Sequence, residues 1–192
     1  MSQTARQILD AARTCLVESG YANLSTRRIA DAAGVGLGHI HYHFGSKRNL
    51  VLALLADENR RLLDRQGRMY GDEAPLWKQW EQACDFLDDD LRSGYVRLLQ
   101  EMTAAGWSDP EVAAAVRSLL HAWFDLLADV ARRAAGRVGG LGPFTAEEVG
   151  ALLGDLFLGA ETMLLLGVTD EQVPHRSALR RVGRLIRTLE EG

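Results

Sequence analysis

Residues 24–50 read LSTRRIADAAGVGLGHIHYHFGSKRNL, and the organisation of the chain follows from them. Ser25 can cap a short helix over about 26–33 whose inner face is Ile29, Ala30 and Ala33. Gly34 stops it, and Val35-Gly36 makes a tight turn. A second short helix follows over about 37–43, with Ile40 and Phe44 pointing inward. Ser46 caps the helix after that, which buries Leu50, Leu54 and Leu55. Small residues at the crossing, Ala30, Ala33 and Gly34, let two such helices approach closely. That is the pattern of a helix-turn-helix.

Working outward, the spacing of Ile8, Ala11, Ala12 and Leu16 predicts a helix over about 5–19. Thr4 with Gln7 reads as its capping box and Gly20 as its end. Downstream, helices are expected near 47–67, 74–92, 94–106, 110–136, 146–167 and 174–190. Thr145 with Glu148 forms a second capping box, and Gly136 to Pro143 a glycine-rich loop. The four prolines sit near helix boundaries, and strand alternation is nearly absent. The expected fold is all-α: a three-helix helix-turn-helix domain, residues 1–50, and a helical bundle, residues 51–192.

The chain has 192 residues, 47% hydrophobic and 25% charged, the balance of an ordinary globular protein. Its net charge of −4 is uneven. Residues 1–66 hold nine Lys/Arg against six Asp/Glu, and the remainder thirteen against twenty. A basic end on an acidic body suits a polyanion at that end only. Two separated cysteines, Cys15 and Cys84, favour a reducing, cytoplasmic setting. The N-terminus lacks a signal-peptide pattern, and the apolar stretch 150–168 carries Asp155 and Glu161, which argues against a membrane partner.

The segment 24–50 resembles the DNA-binding domain of the TetR family of transcriptional regulators. The resemblance rests on Ile29-Ala30, Ala33-Gly34-Val35, Gly38, Ile40, His43-Phe44, Ser46-Lys47 and Leu50, and extends over roughly residues 4–55. Three positions depart from the family pattern. Gly36 stands for a small hydroxyl residue, His39 for Thr, Ser or Ala, and His41 for a Tyr that often meets a phosphate. The resemblance implies that the helix over 37–43 enters the major groove of operator DNA. Leu37, His39 and Tyr42 lie on the face left over once Ile40 and Phe44 are buried. Leu37 can meet a thymine methyl, and His39 a purine edge. Gly36 and Gly38 belong to the same surface, and Gly38 lets backbone approach the duplex. Thr26, His41 and Lys47 suit phosphates; Arg27 and Arg28 suit phosphates or the minor groove. Without the resemblance, the three basic side chains would read as solvated. His39 and His43 could share a helix face, but nothing completes a metal site, and no cofactor is expected.

The body collects aromatic residues. Trp77, Trp80, Phe86, Met102, Trp107, Trp123 and Phe124 fall between 77 and 124, with His121 nearby and Glu161 farther on. These residues either line a pocket or fill a core. The resemblance implies a pocket for an unidentified small-molecule effector; the helix over 47–67 joins the two domains and is the expected lever. An acid among aromatics would favour a cation. Asp88-Asp89-Asp90 reads as a solvated face. The helix 146–167 is apolar almost all round, and the last helix carries one stripe. Leu153, Phe157, Ala160, Leu164, Leu179, Val182 and Ile186 then suit either packing within the chain or, as the resemblance implies, a homodimer interface. The function implied is a ligand-released repressor on a palindromic operator; an activating or ligand-independent regulator and an all-α enzyme are the alternatives. No P-loop, GxSxG or HExxH supports the enzyme.

Overall fold

A computed structural model describes residues 1–192 as nine helices without a strand. They are α1 (Gln3–Asn23), α2 (Thr26–Ala33), α3 (Leu37–Phe44), α4 (Lys47–Gly71), α5 (Leu76–Ser93), α6 (Tyr95–Gly106), α7 (Pro110–Val138), α8 (Ala146–Leu165) and α9 (His175–Glu191). The all-α expectation holds. Boundaries agree within a few residues, with differences in how some ends are made. Ser2, not Thr4, caps α1: its hydroxyl accepts from Ala5 N at 3.2 Å. The glycine-rich loop begins later than expected, because α7 runs through Gly136 to Val138 and the chain turns at Gly139, φ 79°.

The chain forms two compact units, Met1–Arg61 with Arg97–Arg117, and Leu62–Val96 with Ser118–Gly192. In the first, α1, α2 and α3 pack on one another around Ile8, Leu16, Ile29, Ile40, Leu50, Leu54 and Leu55, all closed to solvent. Burying each such side chain stabilises the unit by about 1.5–3 kcal/mol. Gly20 (φ 75°, ψ 166°) interrupts α1 rather than ending it. The backbone freed there is taken up by α6. Arg97 donates to Val17 O at 2.7 Å, and Tyr21 N donates to the Glu101 carboxylate. Arg97 and Glu101 also pair with each other at 2.8 Å.

In the second unit, α9 packs along α5. Trp80 Nε1 donates to Leu179 O at 2.7 Å, and the absent side chain of Gly183 makes room for the indole edge. Ion pairs flank this contact: Arg176 with Asp88 at 2.9 Å and Arg180 with Asp85 at 2.7 Å. Asp90 pairs with Arg65 at 2.6 Å and Asp89 with Arg92. The run 88–90 is therefore a set of individual ion pairs, with Asp89 exposed as expected and Asp88 and Asp90 half-buried. Gly150 and Gly154 bring α8 close onto α7, against Ala128 and Phe124. Thr145 and Glu148 form the expected capping box, at 3.1 and 2.8 Å. No helix is long and apolar enough to cross a membrane.

Candidate nucleic-acid interface

The turn between α2 and α3 is built by local chemistry. Ser25 Oγ accepts from Arg28 N at 3.2 Å and closes the first turn of α2. Gly34 takes the left-handed conformation (φ 66°, ψ 31°), so Val35 N can return to Ala30 O at 3.0 Å. α3 starts at Gly36, which offers no side-chain cap; His39 Nδ1 lies 3.3 Å from Gly36 O instead. Ile40 is fully buried and fixes the rotation of α3 about its axis. The opposite face is open. Leu37 is 38% exposed and Tyr42 84%, with Gly36, Gly38, His39 and His41 exposed between and beside them. A Cβ at Gly38 would meet nothing within 4 Å. No group of three or more metal-binding side chains occurs here or elsewhere.

The polar residues around this face differ in how free they are. Arg27 is exposed at the start of α2, and Thr26 beside it is half-buried. Arg28 pairs with Glu18 at 2.7 Å. His41 Nδ1 lies 3.1 Å from Gly45 O. If Nδ1 carries a proton it is directed at that carbonyl, and only Nε2 faces outward. Lys47 Nζ donates to Tyr21 O at 2.9 Å and lies over the Tyr21 ring, 4.6 Å from its centroid, with two donors left. Arg48 binds Asp109 at 2.8 Å and Glu111 at 2.6 Å; the guanidinium holds the Asp109 carboxyl below its ordinary range. These contacts join the start of α4 to the α6–α7 corner within the first unit. Sequence reasoning missed this support because residues 97–117 are distant along the chain.

The aromatic residues of the body divide between the two units. Met102 is wholly buried in the first unit, and Trp107, in the same unit, is 84% exposed. His121 is exposed beside Asp125 at 3.7 Å. Trp77 lies under Arg187 and Phe86 under Arg65, both half-buried, and Phe124 packs beside Trp123. Trp123 and Glu161 meet at one cavity of about 20 Å³ in the second unit. Leu62, Gln66 and Tyr70 of α4 line it with Leu87 and Asp90 of α5, Leu127 of α7 and Phe157 of α8. Trp123 Nε1 donates to Gln66 Oε1 at 2.9 Å. Glu161 is buried there, and its Oε2 has no hydrogen-bond partner. Burial, with Asp90 adding to it, pushes the Glu161 carboxyl up to about 8.

On α8 and α9, Phe157, Ala160 and Leu179 are buried within the chain, Phe157 against Trp80 at 5.4 Å. Leu153, Leu164, Val182 and Ile186 are half-buried. The exposed apolar stripe lies one position away, at Leu152, Leu156 and Met163 on α8 and Leu185 and Leu189 on α9.

An exposed second helix set by a glycine turn on a three-helix core defines a helix-turn-helix domain. Residues 8–54 match the family described as bacterial regulatory proteins, tetR family. The HTH-type transcriptional repressor AcnR of Corynebacterium glutamicum is 38% identical over 63 residues, 33% of this chain and 34% of that protein. The chain thus matches about a third of the length of such curated relatives. Solved structures share the whole fold. A TetR transcription regulator from Haloarcula marismortui gives a TM-score of 0.78 at 22% identity, covering 97% of each chain. A choline-bound transcriptional regulator from Saccharomonospora viridis gives 0.76 at 21%, covering 96% of this chain and 95% of that one.

Proposed function

We propose that the protein is a DNA-binding transcriptional regulator that represses as a homodimer and is released from its operator by a small molecule. The observation that carries this is the face of α3. Ile40 anchors the helix while Leu37, Gly38, His39 and Tyr42 are exposed, in a segment that matches a family of bacterial regulatory proteins. Leu37, His39 and Tyr42 read base edges, and Gly36 and Gly38 keep the backbone close to them. Thr26, Arg27, Arg28, His41 and Lys47 hold phosphates along the edges of the groove. Arg27 is the freest of these. Lys47 reaches a phosphate with the donors that Tyr21 leaves unused, and His41 donates through Nε2 only when its ring is protonated.

Residues 1–50 serve DNA and residues 51–192 serve assembly and effector, in the cytoplasm where the operator lies. Two protomers join through the exposed stripe of α8 and α9, which supports a two-fold interface continuous with Leu153, Leu164, Val182 and Ile186. The effector enters the second unit at the cavity between Trp123 and Glu161. The choline-bound neighbour shares the fold, and at its low identity lends nothing more. Release requires that the effector bind unequally to the DNA-bound and DNA-free states.

Selection from random duplex DNA tests the first claim. A palindromic site should emerge. His39→Ala should relax preference at one base position in each half-site, whereas Arg27→Ala should weaken all sequences alike and shallow the salt slope by about one unit. A reporter behind the selected site should fall when the protein is expressed; a rise makes it an activator. Enrichment of no sequence overturns the reading.

A further inference from the structure

Glu161 is a carboxylate in the wrong place for a packing residue. It sits on α8 where Phe157 and Ala160 are buried, and its own side chain is buried with Oε2 unpartnered. A leucine would fill the same space without leaving a polar atom unmatched. The walls facing it are Trp123, Phe157 and the ring of Tyr70, with Leu62, Leu87 and Leu127 between. The titratable and charged groups that face it are few. α4 offers the Tyr70 phenol, pushed up by burial; α5 offers Asp90, already paired with Arg65; α7 offers none. No cation in the second unit answers Glu161.

We propose that this cavity binds a small organic monocation, whose ammonium charge Glu161 neutralises and whose alkyl groups lie against Trp123, Phe157 and Tyr70. The proposal rests on reading the second unit as the effector domain, and names the chemistry of the effector. Aromatic faces attract cations, and a desolvated carboxylate supplies the charge that distinguishes an ammonium from a neutral molecule of equal shape. The empty cavity, about 20 Å³, holds no more than a water, so the ligand enters as the walls part. Two of those walls are α4 and α7, which also contribute residues to the first unit.

Binding is linked to a proton. In the empty site Glu161 keeps its proton until about pH 8. A monocation needs the carboxylate, so each binding event releases one proton to solvent. Affinity then rises about tenfold per pH unit up to that value and levels above it.

Calorimetry on the full chain tests this with choline, tetraethylammonium and benzyltrimethylammonium, and with 3,3-dimethylbutan-1-ol as the uncharged shape of choline. At least one ammonium should saturate a single site, release a proton and bind about fiftyfold more tightly at pH 8 than at about pH 6. The alcohol should bind at least about tenfold more weakly than choline or not at all. Glu161→Gln, which copies the protonated side chain, should stay folded by melting and lose the affinity and its pH dependence. Glu161→Asp should recover part of both. The proposal falls if no ammonium binds, if the alcohol matches choline, if Glu161→Gln binds as the parent does, or if a crystal soaked in ammonium shows only an ordered water on Oε2. DNA capture measured on the same samples separates the two readings. Capture of DNA without an ammonium sinks only this inference; an ammonium without DNA sinks the regulator.

Discussion

At Gly38 nothing inside the protein uses the missing side chain, since a Cβ there would meet no atom within 4 Å. Gly38→Ala should therefore leave the fold intact and stabilise α3 by up to about 1 kcal/mol. If α3 lies in a groove, the added methyl should still cost the protein about tenfold or more in operator affinity. Titrating the selected site with both proteins checks this; equal affinity would place α3 away from the bases. Glu161 gives a residue-scale prediction with the opposite emphasis, on stability. Its carboxyl is raised from an ordinary 4.5 to about 8, so between those values the folded chain holds a proton that the unfolded chain has lost. The stabilisation is complete below about pH 4.5 and drains away as pH rises to about 8, by at most roughly 1.4 kcal/mol per pH unit. Glu161→Gln has no such slope. It should melt with the parent in mild acid and above it at pH 8; parallel melting curves would mean that Glu161 is not titrating in the fold.

Among the helices, packing depends on how closely two backbones come. A Cβ at Gly150 of α8 would stand 2.8 Å from Ala128 N and 3.1 Å from its Cα on α7, and backbone cannot step aside as a rotamer can. Gly150→Ala should destabilise by about 1–3 kcal/mol. Gly67→Ala, in α4 with open space around it, should be neutral or slightly stabilising. Denaturant unfolding of both variants tests the pair, and a Gly150→Ala protein as stable as Gly67→Ala would show that the α7–α8 approach does not limit packing. The same scale shows what a sequence makes legible. Ser25, Gly34, Thr145 and Glu148 act within a few residues of themselves, so the ends they make can be read directly. Ser2 and Thr4 both offer a hydroxyl before the same apolar stripe, and only the real start of α1 decides between them. The hold of Arg97 and Glu101 on the break at Gly20 spans some 80 residues and left no local mark.

At the scale of the whole molecule, the same limit separates a residue's neighbours in sequence from its neighbours in space. Met102 and Trp107 fall within the aromatic run yet belong to the first unit, whereas Glu161, far from that run, meets Trp123. On α8 and α9 an apolar pattern marks helices that must be covered, but not which side the protomer covers itself. Phe157 proves internal, while Leu156 beside it is 44% exposed. Leu156→Glu should therefore leave each protomer folded and convert a dimer to monomers, with operator affinity falling as two-site binding is lost. Sedimentation with DNA titration tests it. A parent that sediments as a monomer, or a variant that remains a dimer, would remove this face from the interface.

The uneven exposure of the tryptophans gives the protein two optical reporters. Trp107 stands in solvent on the first unit, while Trp80 and Trp123 are enclosed in the second with their indole N–H groups bonded. Iodide should quench the long-wavelength part of the emission first and leave a blue component behind. Light from Trp107 then reports on the first unit, and the enclosed light of Trp80 and Trp123 on the second, in one unlabelled sample.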